Sequence, residues 1–336
     1  MAESMSNRVT ILDVAAAANV SKSTVSLVLK DSPLIPGDTA ARVREAAARL
    51  GYVVNRRASQ LRAGSSNMIA VVINDLMNPF FAEILVGIER RLVDAGYVVL
   101  MAHTNEDTSR QEKVLRTMRE QGAAGLILCP AYGTPGTLPQ EIHEWGTPLV
   151  VMVRTLGPGE YDFAGADNER GVYEATKHLL AAGHRRIGFL GGQTGVVLEQ
   201  RLNGYKAALA DYQIKLDPDL LLSAKPNRQG GNDTMLALAK MRPKVTAAIC
   251  YNDVVAFGAM GALGELGMRA GRDFALIGFD NVQDAAHSNP PLSTVNIDPG
   301  TLGEHAADLL LARIENPGLA RQVYMAKPDL LIRQSA

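Results

Sequence analysis

The sequence predicts an α/β protein in three parts: a small all-α module at the N-terminus, a short linker, and a core of two parallel-sheet α/β halves with a cleft between them. Three observations carry this. The first fifty residues alternate alanine-rich helical stretches with capping residues, the rest repeats short apolar runs and amphipathic stretches, and charge is divided unevenly between the two regions. At 336 residues and 47% hydrophobic content, the chain exceeds one ordinary core of about 150 residues and has material for two or three.

Net charge is −1, yet residues 1–64 hold nine Lys/Arg against five Asp/Glu, a balance of +4, leaving 25 bases and 30 acids, −5, for the remainder. A basic module on an acidic body is the pattern of nucleic-acid binding confined to one end.

Residues 10–30 read as two short helices joined by a tight turn. Thr10 caps the first, with Asp13 as its capping-box partner three residues on. Asn19 stands at the turn, one of the few non-glycine residues at ease in the left-handed conformation. Ser21 caps the second helix, where Val25, Val28 and Leu29 form the buried face and Lys22, Ser23 and Ser26 point outward. This is a helix-turn-helix pattern, whose second helix enters the major groove of DNA with its N-terminal residues on base edges. On the pattern alone, an αα-hairpin without a ligand is the alternative. After a loop over 31–36, Ala40, Val43, Ala47 and Leu50 supply a third helix that completes a small core, and Gly51 stops it. Residues 55–63 have helical propensity but only Ala58 and Leu61 as apolar residues before Ala63, so the helix is marginal in isolation; a flexible linker is the alternative.

From Met68 the texture changes. Apolar strands at 68–73, 97–102, 125–129 and 149–153 alternate with helices at 81–95 and 109–121. A second series follows, with strands at 187–190, 247–250 and 274–279 and helices at 173–182, 202–210, 235–241 and 254–266. Repeating βα units give parallel sheets, and ligands bind beyond the carboxyl ends of such strands. Candidate ligands are therefore Asp75, Asn78 and Phe80 after the first strand, Arg201 after a glycine-rich loop, Asn252 after the strand ending at Cys250, and Asp280 after the last. Arginine and carboxylates beside an aromatic face suit the hydroxyls and C–H faces of a sugar. Phe80 is also a candidate core residue, and Phe81 is expected in the core.

Other chemistry finds no support. The six histidines are scattered, Cys129 and Cys250 end apolar runs without metal spacing, and Gly191–Gly195 fits neither phosphate-loop pattern. No metal, cofactor or enzymatic activity is expected. No apolar run of about 20 residues and no signal core are present, so the expectation is a cytoplasmic protein with no membrane contact.

The run Ile11 to Leu29, above all Asp13-Val14-Ala15 and Val20-Ser21-Lys22-Ser23-Thr24-Val25-Ser26, resembles the headpiece of the lac-repressor family of bacterial transcription regulators. Gly51-Tyr52, Asn55-Arg56, Asn78-Pro79-Phe80-Phe81, Gly183-His184-Arg185-Arg186-Ile187 and Gly278-Phe279-Asp280-Asn281 follow in family order. The resemblance implies a helix-turn-helix headpiece over 1–54, a hinge helix or linker over 55–66, and a two-lobed core like that of periplasmic binding proteins. One lobe would take 67–165 with about 296–322, the other 166–292 with about 323–336. It further implies a homodimeric repressor on a near-palindromic double-stranded operator, its DNA affinity set by a small metabolite, a carbohydrate, in the cleft. Thr10, Ser21, Lys22, Ser23, Thr24, Ser26 and Leu27 would meet DNA, joined by the hinge residues Asn55, Arg56, Ala58, Leu61 and Arg62, with Leu61 as a minor-groove wedge. Arg201, Asn252 and Asp280 match the family's effector positions. Two departures stand out. Leu27 replaces a common arginine, favouring a thymine methyl over guanine, and Val54 replaces a proline. Leu27 with residues 55–61 is most similar to the maltose-regulon type of repressor. A sugar-binding protein of the same two-lobed type without DNA function is the alternative reading.

Overall fold

The structure, a computed structural model, describes residues 9–29, 31–52 and 66–336. The hinge residues Asn55, Arg56, Ala58, Leu61 and Arg62 lie outside the described residues, as does Val54. The chain divides into two compact units at residue 65.

In the first unit, α1 (Ile11–Ala18), α2 (Lys22–Val28) and α3 (Gly37–Leu50) surround Val14, Val25, Val28, Val43 and Ala47. The capping box forms: the Asp13 N–H donates to Thr10 Oγ1 at 3.4 Å and the Thr10 N–H to Asp13 Oδ2 at 2.7 Å. Asn19 turns the chain at φ 52. Ser21 Oγ accepts the Thr24 N–H at 3.1 Å, and α1 and α2 meet at 99°. Helix α3 begins behind Pro36, which offers no side-chain cap, and stops at Gly51 with φ 64.

The second unit contains two six-stranded sheets. The first lobe runs β1 (Met68–Ile73), α4 (Pro79–Asp94), β2 (Val98–His103), α5 (Thr108–Glu120), β3 (Gly125–Leu128), α6 (Leu138–Glu144), β4 (Leu149–Met152) and β5 (Asp162–Ala166). The second runs α7 (Asn168–Ala181), β6 (Ile187–Leu190), α8 (Val196–Asp211), β7 (Leu221–Leu222), α9 (Arg228–Ala239), β8 (Ala247–Cys250), α10 (Asp253–Glu265), β9 (Ala275–Asp280), α11 (Gln283–His287) and β10 (Ser293–Asn296). Then α12 (Pro299–Glu315) and β11 (Val323–Ala326) return to the first lobe, and β12 (Asp329–Leu331) to the second. The strand orders are β11-β5-β4-β3-β1-β2 and β12-β10-β9-β8-β6-β7, parallel except for β12. Helices α4 and α12 pack closely enough that a Cβ on Gly87 would stand 2.1 Å from the Gly300 carbonyl oxygen.

Strand β10 pairs with β9, so the second lobe extends beyond 292 to 296, where the return to the first lobe is expected, and β11 pairs with β5, so the last crossing falls at 327–328 rather than 322–323. Both strands are four residues long, and local sequence does not say which sheet edge will accept them. Strand β5 is not among the strands the sequence predicts, because Asp162-Phe163-Ala164-Gly165-Ala166 has little β propensity. It is anchored instead by a buried ion pair, with Arg313 of α12 donating to both Asp162 oxygens at 2.8 and 2.9 Å.

Candidate functional site

Between the sheets, beyond the carboxyl ends of their strands, lies a cavity of about 480 Å3. Asp75, Asn78, Phe80 and Asp280 line it, as expected from their positions after strands, and so does Arg201, which follows the glycine-rich loop. Asn252 does not line it: its Oδ1 caps α10 by accepting the Val255 N–H at 2.9 Å, and its Nδ2 reaches the Pro226 carbonyl at 3.5 Å. A short polar residue after a strand serves a helix N-terminus as readily as a ligand. Phe80 and Phe81 pack edge to face, centroids 5.1 Å apart, and both are core residues that also line the cavity.

In the second lobe Arg201 sits on the second turn of α8, nearly fully buried. Its guanidinium lies 3.7 Å from the Phe279 ring centroid and 4.8 Å from that of Tyr251. It donates to Asn168 Oδ1 at 3.0 Å, to the Tyr251 carbonyl, and to Asp280 Oδ1 at 3.5 Å. Asp280 holds φ 115, a conformation rare outside glycine. Burial pushes its carboxyl up to about 7 against the pull of Arg201.

The first lobe carries a matching group that sequence reading missed. Arg154 stacks 3.8 Å from the Tyr132 ring centroid and grips Glu106 in a bidentate pair at 2.7 and 2.9 Å. Glu106 also accepts from Asn74 Nδ2 at 2.7 Å and from the Tyr132 N–H at 2.9 Å. Burial acts to raise Glu106, but Arg154, Asn74 and the Tyr132 amide outweigh it and hold the carboxyl below its ordinary value. Arg154 is thrown toward the cavity by Val153, which has φ 67 inside a turn where the Arg154 N–H donates to the Met152 carbonyl at 2.7 Å. Positive φ at a β-branched residue is strained, and such strain collects at functional sites. The rule that found Asp75 would have found Glu106 and Arg154, since both follow strands.

The lobes touch across the cavity. The Tyr132 and Tyr251 hydroxyls are 3.5 Å apart, the Tyr132 ring seats on Gly195, and Glu83 of α4 accepts the Gln283 N–H at 2.8 Å. A larger groove of about 560 Å3 on the outer face of the first lobe, beside Trp145, is a weaker candidate because its charged residues Glu112, Arg116, Arg119 and Glu141 are all exposed.

On the small N-terminal unit, Lys22, Ser23 and Leu27 are exposed on α2 and Ser26 is half-buried. The Thr10, Ser21 and Thr24 hydroxyls are occupied locally: Thr10 bonds Asp13, and Ser21 and Thr24 meet at 2.9 Å. Among the described residues no group of His, Cys, Asp or Glu is placed to hold a metal, and no single helix is long and apolar enough to cross a membrane.

Residues 10–55 match the description "Bacterial regulatory proteins, lacI family", and residues 176–336 match "Periplasmic binding protein-like domain". The HTH-type transcriptional repressor PurR of Aliivibrio salmonicida is 30% identical over 97% of this chain and 98% of its own. The chain belongs to the lacI family. It is a transcriptional regulator with a helix-turn-helix module and a two-lobed core. The maltose regulon regulatory protein MalI of Escherichia coli is likewise 30% identical, over 91% of this chain and 93% of its own, so the maltose-regulon subgroup is a relative but no better matched than PurR. The lac repressor dimer bound to operator and an anti-inducer superposes with a TM-score of 0.83 at 25% identity, covering 98% of this chain and 99% of that one.

Proposed function

We propose that this regulator is a homodimeric repressor whose operator affinity is controlled by a neutral carbohydrate held between the lobes by Asp75, Asn78, Phe80, Arg201 and Asp280, together with Glu106, Tyr132, Arg154 and Tyr251. One observation carries the ligand class: both guanidinium groups facing the cavity already have a carboxylate partner, Arg154 with Glu106 and Arg201 with Asp280. A phosphate or carboxylate at either guanidinium would have to displace its carboxylate partner, and a third cation lining the cavity, Lys225, is solvent-exposed, whereas a polyol can hydrogen-bond beside these pairs and lay its C–H faces on Phe80 and Tyr251. The relative named for the maltose regulon agrees with a sugar. The ligand acts only through its different affinity for closed and open lobes.

Two protomers on one near-palindromic site fit the exposed apolar edge of the first sheet. Val98 and Met101 of β2 and Val86 and Val93 of α4 are all exposed there, and such an edge calls for a partner. Lys22, Ser23, Ser26 and Leu27 would read the major groove while Thr10, Ser21 and Thr24 fix the helices that present them. Asn55, Arg56, Ala58, Leu61 and Arg62 would serve as the hinge. No catalytic role is assigned to any residue. A carbohydrate carrier without DNA function has no use for the module at residues 10–55.

The test is a thermal-shift screen with sugars, sugar phosphates, polyols and nucleobases. A ligand at about 100 times its Kd should stabilise the protein by about 2.7 kcal/mol. Repeating the hit during titration of a palindromic duplex shows whether it releases or recruits DNA. Hits confined to anionic ligands would overturn the neutral-carbohydrate reading.

A further inference from the structure

The chain crosses between the lobes three times, and the first crossover is a single residue: β5 ends at Ala166 in the first sheet and α7 begins at Asn168 in the second lobe, so Asp167 alone spans the gap. The Asp167 N–H donates to the Ala326 carbonyl at 3.2 Å, continuing the β5–β11 ladder into the crossover. The Asn168 side chain is buried at this point and bonded on both sides. Its Nδ2 donates back to the Ala166 carbonyl at 3.2 Å and across to Gln200 Oε1 at 3.0 Å, while its Oδ1 accepts from Arg201 Nε at 3.0 Å. The orientation of the amide is fixed chemically, since a guanidinium only donates and a backbone carbonyl only accepts.

Arg201 meets this crossover with one edge and the cavity with the other. Its Nε bonds Asn168, and its Nη2 bonds Asp280, which lines the cavity with it. A guanidinium is a rigid planar fork, so a displacement at Nη2 turns Nε as well. The support beneath is equally stiff. A Cβ on Gly204, one turn beyond Arg201, would stand 2.0 Å from the Glu169 carbonyl oxygen. One on Gly171 would stand 2.8 Å from Cε2 of Phe279, the ring whose centroid lies 3.7 Å from the guanidinium. The start of α7, the middle of α8 and Phe279 therefore form one close-packed block at the root of the crossover. Asp280 is tied to the second crossover in a similar manner. Asn281 follows it and donates to Asn296 Oδ1 at 3.1 Å, and the same oxygen accepts the Asp298 N–H at 3.0 Å.

We propose that Asn168 is a positioning residue that couples the Arg201–Asp280 pair to the first crossover, so that a ligand engaging the pair shifts the hinge between the lobes. The link is one amide long, from Arg201 Nε to the Ala166 carbonyl. A ligand that turns the guanidinium must move or break the Asn168 bond, and the crossover then loses the side chain that braces it. Helix α7 has no other need of this side chain: Asp167 is already its cap, accepting the Arg170 N–H at 3.0 Å. Burying an amide costs free energy unless its hydrogen bonds are made, so its place here is set by the bonds it makes to the crossover and to α8. The proposal rests on the cavity being the effector site and is independent of the ligand's class.

The test needs no ligand. Hydrogen exchange is followed by mass spectrometry in the full-length protein, in Asn168→Ala, in Arg201→Lys and in the double variant, on peptides covering 163–170 and, as a control elsewhere in the second lobe, 232–240. Lysine keeps a cation beside Asp280 but has no Nε to hold Asn168. Each single variant is expected to speed exchange at 163–170 by about three- to tenfold and to leave 232–240 within about twofold of the wild type. In the Asn168→Ala background, Arg201→Lys is expected to add less than about twofold at 163–170, because both changes break the same link. Factors that multiply would show the two residues acting separately and overturn the proposal, as would an unchanged crossover in Arg201→Lys. Equal acceleration at 232–240 is what a general loss of stability gives, and it is equally adverse. Should Arg201→Lys fold poorly, Arg201→Met combined with Asp280→Asn, which leaves no carboxylate unpaired, takes its place with the same expected and adverse patterns. Either result leaves the carbohydrate reading to its own screen.

Discussion

Alanine at Gly195 separates backbone strain from contact between the lobes. Gly195 precedes α8 with φ 94 and ψ 167, a conformation nearly reserved for glycine, so any side chain costs about 1–3 kcal/mol there. The added Cβ would also stand 2.5 Å from Cε1 and 2.9 Å from Cδ1 of Tyr132 in the opposite lobe. That ring is not free to swing, since the Arg154 guanidinium lies 3.8 Å from its centroid and Arg154 is itself clamped to Glu106. Overpacking of this kind costs about 1–3 kcal/mol. Gly195→Ala should therefore destabilise the core by roughly 2–6 kcal/mol, and in a Tyr132→Ala background by the strain alone, roughly 1–3 kcal/mol. A double-mutant cycle in urea should give a coupling of about 1–3 kcal/mol between the two positions. Small-angle scattering of Gly195→Ala should show more open lobes, reversed in the double variant. If the two costs add to within about 0.5 kcal/mol, the contact of Tyr132 with Gly195 across the cleft does not hold the lobes together.

Three further outcomes are expected. Arg154→Met leaves Glu106 without its cation and should cost about 2–4 kcal/mol, below the range for a fully buried pair because the Glu106 side chain is 30% exposed. Glu106 titrates below its ordinary value near 4.5, so its stabilisation is present above that pH and lost as pH falls through the lower folded value; acid unfolding followed by circular dichroism should show this loss in the wild type and not in Arg154→Met. Asp280 is raised to about 7, so its carboxyl favours the fold below its unfolded value near 3.8 and opposes it progressively as pH rises through 7. Asp280→Asn cannot ionise there, and its melting temperature should vary less than that of the wild type between pH 5 and 8; an identical profile would place the titration elsewhere. On DNA, Leu27→Arg should move selected operators toward guanine at one half-site position, while Lys22→Ala should lower affinity for all duplexes and reduce the salt slope by about one unit. A base preference unchanged by Leu27→Arg would remove that residue from direct readout.

The sequence by itself determined whatever is local. Thr10, Asp13, Asn19 and Ser21 specify two capped helices and the turn between them, because caps and left-handed turns are decided within four residues. The apolar run Met68–Ile73 specifies a strand buried on both faces, and the rule that ligands gather after such strands found Asp75 and Asp280. Tertiary structure alone decided the rest. Which sheet takes β10 and β11 depends on the edge available once both lobes exist, and β5 is held as much by Arg313, 151 positions away, as by its own weak propensity. Asn252 and Asn78 show the same limit within the site. Each follows a strand and caps a helix, yet only Asn78 also faces the cavity. The pairing of Arg154 with Glu106 and the seat of Tyr132 on Gly195 join strands and lobes distant in sequence, and the burial that gives them their energy exists only after the chain has closed upon itself.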